Sequence, residues 1–178
     1  FLKTFNGNHF DLISLDPAKR GQKGERGVSL EDCEPDLTKI KDLLLHIAPT
    51  VVVKLSPMAD IATLFEQLTQ IKTIDIISVN NECKELLAVM ERGFSGTTEI
   101  IATDLKYNIS FGFTRQKEKE SAVQFADPQR LSGYIYEPNA AILKGGAFKF
   151  IAEYFGVEKL SHDTHFYISN TRIENFPG

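Results

Sequence analysis

An aspartate, a proline and a cationic loop form the stretch of this sequence best suited to chemistry. Asp16 and Pro17 follow the apolar run 12–15, which is typical of a buried strand. Open α/β sheets bind ligands at the carboxyl ends of their strands, so this position predicts that the Asp16 carboxylate lies in a crevice. Pro17 disfavours helical geometry at Asp16 and fixes the carboxylate in an extended turn.

The loop after Pro17 is rich in cations and glycines and leads into an acidic segment. Its cations are Lys19, Arg20, Lys23 and Arg26. Long loops without secondary structure are often functional, and a position after a strand end favours a contact with a ligand or phosphate. A solvated surface loop is the alternative that this charge pattern leaves open.

Two further residue types could contribute to the same crevice. Ser56 follows the β-branched run 50–55, so it could line the crevice, although Ser-Pro is equally typical of a simple turn. Cys33 lies in the loop among acidic neighbours that disfavour a thiolate, and we expect a thiol without a catalytic role. Cys33 and Cys83 lack the spacing of a zinc site or a disulfide framework, so no metal site is predicted.

Composition sets limits on the class of protein. The chain has 178 residues, of which 42% are hydrophobic and 25% charged, as in ordinary globular domains. The net charge of −4 excludes nucleic-acid binding through bulk charge and leaves only local basic patches for that role. The sequence has no apolar run long enough for a membrane span and no signal-peptide pattern, so we expect a cytoplasmic protein without membrane contacts.

Hydrophobic periodicity predicts alternating strands and helices in the first part of the chain. Strands are expected at 12–15, 50–55 and 73–79, and helices at 36–47, 61–71 and 82–92. This order predicts a parallel, doubly wound sheet with right-handed crossovers. An antiparallel hairpin at 98–104 and 107–113, an exposed turn at 114–121 and a short strand at 123–125 should follow.

The pattern changes after residue 126, where we place a domain boundary. The first predicted domain spans residues 1–126 and the second spans 127–178. In the second domain we expect strands at 133–136 and 165–169 and a helical stretch from 137 to 155. Gly145 and Gly146 weaken that helix and predict a break or a close contact, and Gly156 should cap its end.

Four segments together resemble a known family. They are LDPAKR at 15–20, SLEDCEPD at 29–36, KLSPM at 54–58 and YEPNAAILK at 136–144. In combination they resemble a bacterial family of class I S-adenosylmethionine-dependent methyltransferases with a C-terminal THUMP-like domain. The resemblance implies the back half of a Rossmann-like α/β sheet, beginning at its fourth strand, followed by part of a smaller α+β domain.

The resemblance also implies roles for individual residues. Asp16 and Pro17 match the place of an (Asp/Asn)-Pro-Pro motif whose acid or amide accepts a hydrogen bond from a target amine. Ala18 replaces the second proline and no aromatic residue follows, which disfavours amine methylation and is closer to relatives that modify RNA. Lys19, Arg20, Lys23, Arg26 and Ser56 are then candidates for substrate contacts.

The glycine-rich GxGxG turn that holds S-adenosylmethionine in this family is absent from the sequence. We therefore expect residues before Phe1 in the complete protein, and cofactor binding and RNA methylation by that protein but not by this chain alone. The cofactor-binding residues stay unassigned. A non-catalytic interaction scaffold and a small-molecule methyltransferase are the alternatives, and the edge of strand 12–15 predicts a homodimer.

Overall fold

The computed structural model describes residues 10–19, 30–129 and 131–178. These residues form two compact units: one contains the described residues up to 75 with 84–98, and the other contains 76–83 with 99–178. The domain boundary expected after residue 126 stays a prediction. Arg20, Lys23 and Arg26 lie outside the described residues.

The first unit begins with short strands around the predicted loop. They are β1 (Leu12–Leu15), β2 (Ala18–Lys19) and β3 (Cys33–Glu34), with a 3₁₀ turn at Leu30–Asp32. β2 and β3 pair antiparallel and form a two-stranded ribbon. The strand predicted at 12–15 is confirmed.

Helix α1 (Leu37–Ile47) has the bounds that its apolar spacing predicted. Asp36 is its N-cap, and its carboxylate accepts a hydrogen bond from the Thr38 N–H group at 3.1 Å. Hydrogen bonds from Lys39 and then from Thr38 lower the pKa of Asp36 to about 2. At the other end, the Arg92 guanidinium donates hydrogen bonds to the Leu45 and His46 carbonyls, which have no acceptor role within the last turn of the helix.

Strand β4 (Thr50–Leu55) and helix α2 (Ile61–Gln67) follow, and both were predicted, although α2 is shorter than expected. Val51, Val53 and Leu55 are buried and alternate with half-buried residues, as in a strand with one covered face. β4 pairs parallel to β1, with Leu15 opposite Val53.

The helix predicted at 82–92 is wrong: this segment is strand β6 (Glu82–Glu91), next to β5 (Ile71–Val79) in the sheet. Asn80 and Asn81 connect the two strands with φ angles of 52° and 58°, the left-handed geometry of a two-residue hairpin turn. Leu86, Ala88 and Met90 are buried at a period of two residues.

The six-stranded sheet is therefore mixed rather than parallel. Its order is β1-β4-β6-β5-β7-β8, with β7 (Glu99–Asp104) and β8 (Ile109–Phe113) as the predicted antiparallel hairpin. β6 runs antiparallel to β4, with Leu86 opposite Leu55. The expected class, an α/β sheet followed by a smaller α+β region, is confirmed, and only the uniform parallel order is wrong.

The segment predicted as an exposed turn at 114–121 forms helix α3 (Arg115–Glu120) instead. The Thr114 hydroxyl caps it by accepting a hydrogen bond from the Lys117 N–H group at 3.1 Å. At 123–125 the structure has only a bridge between Phe125 and Lys159 in place of the predicted strand.

The last part of the chain contains a small antiparallel sheet and two short helices. The sheet order is β10 (Glu158–Lys159), β11 (Tyr167–Ser169) and β9 (Tyr134–Tyr136), and the helices are α4 (Ala140–Gly145) and α5 (Phe150–Phe155). The predicted break is confirmed: Gly146 has a φ of 81°, and a Cβ on Gly145 would lie 3.0 Å from Ile76 and Phe113 side-chain atoms. Gly156 caps α5 as expected, with a φ of 63°.

Both helices are capped by side chains from elsewhere in the same unit. The Asn81 side-chain oxygen accepts a hydrogen bond from the Ala140 N–H group at 2.7 Å, in addition to the N-cap Asn139. α5 receives no cap from its own Lys149 side chain. Instead, the Glu118 carboxylate accepts hydrogen bonds from the N–H groups of Lys149 and Phe150, each at 2.9 Å.

None of the helices in the described ranges has the length and hydropathy that a bilayer crossing requires.

Candidate functional site

Two parallel strands bring the candidate acid to one edge of the sheet. β1 and β4 end at the same edge, because Leu15 lies opposite Val53 in parallel register. Asp16 therefore follows β1 beside Lys54, the penultimate residue of β4. The predicted position of Asp16 at a strand end agrees with this arrangement.

Asp16, Lys54 and Glu85 form a charged cluster at this edge. The Lys54 ammonium lies 2.6 Å from the Asp16 carboxylate and 3.8 Å from the Glu85 carboxylate. Their side chains are 67%, 39% and 45% exposed, so solvent screens these ion pairs. The hydrogen bond and charge of Asp16, followed by the charge of Glu85, raise the pKa of Lys54, which keeps it cationic throughout the physiological pH range.

The cluster lines a cleft of about 240 Å³. Besides the three charged residues, its wall contains Pro17, Cys33, Leu55, Ser56 and Lys84. The Ser56 hydroxyl also accepts a hydrogen bond from the Met58 N–H group at 3.2 Å, so it both faces the cleft and closes the turn after β4. The turn is therefore observed, whereas a contact between Ser56 and a substrate stays a prediction.

Of the four predicted cations, the structure describes only the backbone of Lys19. The backbone of Lys19 belongs to β2 and pairs with Cys33 of β3, and Cys33 lines the cleft. This pairing places the Lys19 backbone beside a residue that lines the cleft. Arg20, Lys23 and Arg26 fall outside the described residues, so their proposed contacts stay predictions.

Sequence reasoning missed Lys54, Lys84 and Glu85 as residues of the site. Glu85 reaches the cleft because β6 is a strand that runs antiparallel to β4, whereas the predicted helix would have placed it differently. The adjacent Asn80 and Asn81, which favour a two-residue hairpin turn, were the sequence signal that could have found it.

The two cysteines play no part in a disulfide with each other, and Cys33 is buried. The Cys83 thiol donates a hydrogen bond to the Ala140 carbonyl at 3.2 Å, and burial raises its pKa.

Within the described ranges, no three His, Cys, Asp or Glu side chains are grouped so that they could hold a metal ion.

Comparison with known proteins gives two matches. Residues 134–177 match a family model described as a ferredoxin-like domain. The chain also matches the crystal structure of a putative methyltransferase from Porphyromonas gingivalis W83, with 34% identity and a TM-score of 0.84 over 94% of this chain. The fold is thus partly methyltransferase-like. A comparison with curated proteins found no match.

The match covers only 42% of the Porphyromonas chain, so this sequence corresponds to less than half of that protein. The match supports the methyltransferase-like part of the resemblance, whereas its THUMP-like domain stays a prediction. For the end of the chain, the comparison supports a ferredoxin-like domain at 134–177.

Proposed function

We propose that this chain forms the acceptor side of the active site in an S-adenosylmethionine-dependent methyltransferase that acts on RNA. The observation that carries this proposal is the cleft at the ends of β1 and β4, where Asp16 and Pro17 follow the strand as the first two residues of the (Asp/Asn)-Pro-Pro motif would. The 34% identity to a methyltransferase-like structure supports the proposal over most of the chain.

Asp16 is the residue that we place closest to the methyl acceptor. Pro17 holds it at the cleft, and Lys54 binds its carboxylate at 2.6 Å. Ala18 and the lack of an aromatic residue after it argue against an amine acceptor stacked on a side chain. These features support an acceptor other than a flipped base.

The cleft by itself does not fit S-adenosylmethionine. Cofactor sites are mostly apolar, yet four of the eight residues that line this cleft are charged. The chain also has no GxGxG turn to hold the cofactor. We therefore assign cofactor binding to the complete protein, in which this chain would supply acceptor-side residues.

The calorimetric titration of S-adenosylmethionine into this chain and into the complete gene product tests the catalytic proposal. We expect binding to the complete protein and none to residues 1–178. If the complete protein fails to bind the cofactor while remaining folded, the proposed methyltransferase activity is refuted.

RNA as the substrate is supported by the local position of the cations. The net charge is negative, so contacts to phosphate must come from a patch such as the loop that starts at Lys19 and the Lys84 side chain at the cleft. The ferredoxin-like region, which we propose to be THUMP-like, would help to place the RNA.

Substitution of the loop cations in the complete protein tests this substrate. The test variant replaces Lys19, Arg20, Lys23 and Arg26 with alanine. A control variant with the same charge change replaces exposed cations elsewhere: Lys72, Lys106, Lys117 and Lys119. We expect only the first variant to lose binding of total RNA in filter assays, and equal affinities of the two variants would exclude the loop as an RNA contact.

A non-catalytic scaffold is the second candidate, favoured by the sequence pI of about 5.6. The scaffold proposal predicts a complete gene without a GxGxG motif, whereas the enzyme requires one.

We also propose that the chain pairs with a second copy through β1. Among the described residues β1 pairs only with β4, and Leu12 is 52% exposed on this edge. Light scattering of residues 1–178 should give a dimer that a Leu12→Lys substitution dissociates. A monomeric wild-type chain would contradict this pairing.

A further inference from the structure

A pocket of about 310 Å³ in the second unit brings hydrogen-bonding side chains of both kinds to an aromatic ring. The lining residues with such groups are Asn81, Asp104, Tyr107, Glu137 and Asn139, and all of them belong to the second unit. This volume lies at the lower end of the range for small-molecule sites and suits one planar ring system. The groups that have no partner inside the protein decide which ring system fits.

The backbone of α4 orients both amide side chains. The Asn81 oxygen accepts a hydrogen bond from the Ala140 N–H group at 2.7 Å. The Asn139 oxygen accepts one from the Ile142 N–H group at 3.1 Å. Because both oxygens are occupied, the NH₂ groups are the atoms of these amides that a ligand can use.

Asn139 has the more enclosed of the two amides, since the residue is only 6% exposed. Its NH₂ group has no hydrogen-bond partner among the described residues. In the same part of the chain, no side-chain nitrogen or oxygen is both buried and without a partner. The NH₂ group is therefore accessible, and it is accessible through the pocket that Asn139 lines.

Glu137 supplies acceptors on the same side of the chain as Asn139. Pro138 separates the two residues and disfavours helical geometry at Glu137, and the backbone of Asn139 is extended. Side chains two positions apart in an extended segment lie on the same face. The Glu137 side chain is exposed and has no hydrogen bond or ion pair with other described residues. Both of its carboxylate oxygens can therefore accept hydrogen bonds from a ligand.

Tyr107, on the turn between β7 and β8, provides the aromatic wall. The Asp104 carboxylate holds this turn by accepting hydrogen bonds from the N–H groups of Lys106 and Tyr107 at 2.9 and 3.3 Å. The Lys106 ammonium lies over one face of the Tyr107 ring, 5.2 Å from its centroid. Within the described ranges no other aromatic ring packs against Tyr107, which is 61% exposed. A planar ligand can therefore stack on this ring.

The unpaired groups match the Watson–Crick edge of guanine. That edge carries the O6 acceptor, followed by the N1–H donor and the N2 amino donor. A carboxylate accepts from both donors at once, while an amide NH₂ group donates to O6. Adenine and cytosine instead place a ring-nitrogen lone pair beside their amino group, and this lone pair would face the second carboxylate oxygen. The pocket therefore favours guanine over these bases.

We propose that this pocket binds a guanine base, which stacks on Tyr107, donates to the Glu137 carboxylate and accepts from the Asn139 NH₂ group. Asp104 positions Tyr107. The base belongs either to a free guanine nucleotide or to a single-stranded RNA, since both present the same edge. The base is bound and not methylated, so this proposal does not depend on the methyltransferase activity.

Calorimetric titration of the complete protein with guanosine, inosine and adenosine monophosphates tests the base. Saturating S-adenosylmethionine is present, so that nucleotides do not enter a cofactor site. Inosine monophosphate lacks only the N2 amino group and should bind about tenfold more weakly than the guanine nucleotide, because one hydrogen bond to a carboxylate is lost. Adenosine monophosphate should bind still more weakly.

The RNA trinucleotides UGU and UAU identify the source of the base. A preference for UGU of about tenfold or more assigns the pocket to RNA, whereas a preference that appears only among the mononucleotides assigns it to a free nucleotide. Absence of a guanine preference in both series overturns the proposal. That result would leave the methyltransferase proposal unaffected, since cofactor binding is measured separately.

Two conservative substitutions test the polar contacts. Asn139→Asp keeps an oxygen for the Ile142 N–H group but replaces the NH₂ donor, so guanine affinity should fall at least about tenfold without a lower thermal unfolding midpoint. Glu137→Gln should cause a similar loss. Glu174→Gln is the matched control, because Glu174 is an exposed residue of the same domain that does not line the pocket. Equal guanine affinity of the Glu137 and Glu174 variants, or an unchanged affinity of Asn139→Asp, would overturn the assignment.

A pair of tyrosine substitutions tests the stacking. Tyr107→Ala should weaken guanine binding about tenfold, as expected when one base loses its aromatic partner. Tyr107→Phe keeps the ring and should bind within threefold of the wild type. Equal affinities of the alanine and phenylalanine variants would contradict a base stacked on this ring.

Discussion

Replacing Glu118 with alanine should destabilise the second unit through the N-terminus of α5. The Glu118 carboxylate accepts hydrogen bonds from Lys149 and Phe150 at 2.9 Å, and the Lys149 side chain provides no cap of its own. A hydrogen bond to a charged group contributes about 1.5–3 kcal/mol, and a half-buried cap will lie toward the lower end. Two such hydrogen bonds at about 1.5 kcal/mol each give an upper value of about 3 kcal/mol, so we expect Glu118→Ala to cost about 2–3 kcal/mol.

Glu118→Gln should cost about 1 kcal/mol, because the amide oxygen can still accept one of the two hydrogen bonds. For a chain of this size, each kcal/mol lowers the unfolding midpoint by about 2–4 °C, so calorimetry resolves the two variants. Hydrogen exchange at the Phe150 amide should accelerate in both variants, which locates the effect at α5.

Glu120→Ala is the control, since Glu120 lies on the same helix and its carboxylate contacts only Gln116 among the hydrogen bonds described for it. That change should cost less than about 0.5 kcal/mol. If Glu118→Ala is as mild as the control, the Glu118 carboxylate does not measurably stabilise the N-terminus of α5, and the prediction is wrong.

Three further perturbations test the described contacts. Because the folded pKa of Asp36 is about 2, its stabilisation of α1 should be complete above its ordinary pKa and lost as the pH falls toward 2, as acid titration of unfolding would show. Asp16→Asn should lower the pKa of Lys54, measured by NMR titration; an unchanged value would contradict the ion pair. Tyr167→Phe should cost about 1–3 kcal/mol in urea unfolding, because the buried hydroxyl donates to the Phe148 carbonyl at 2.8 Å.

The elements that were predicted correctly are those whose defining residues lie within the element or next to it. β1 ends at an acid and a proline, α1 has a capping aspartate and a single apolar face, and β4 is a β-branched run between prolines. Each signal lies within a few residues of the element that it defines. The position of Asp16 at the cleft could be predicted for the same reason.

The segment 82–92 shows where local information fails. It contains strong helix formers with apolar residues at near-helical spacing, and these also fit a strand with one buried face. Asn80 and Asn81 decide between the two structures, because two adjacent left-handed residues reverse the chain into a hairpin. The same error kept Glu85 out of the predicted site, because Glu85 lies near Lys54 only when β6 is a strand antiparallel to β4.

Helix α3 was missed for a different reason. Its residues are polar and mostly exposed, so the sequence lacks the apolar stripe from which an amphipathic helix is predicted. The capping hydroxyl of Thr114 and the contact of Glu118 with the N-terminus of α5 hold it in place. The first of these signals was readable from the sequence, whereas the second depends on residues about thirty positions away.

A protein engineer who follows turn statistics would rewrite Asn80-Asn81 as Asn-Gly, since glycine adopts positive φ without steric cost. In this protein that exchange would ease the hairpin and at the same time deprive the Ala140 N–H group of its acceptor, 59 residues away. Stabilising mutations chosen from turn preferences alone would therefore fail at this position. Asn81 therefore has a second role besides the turn, because its side chain links the β5–β6 hairpin to the N-terminus of α4.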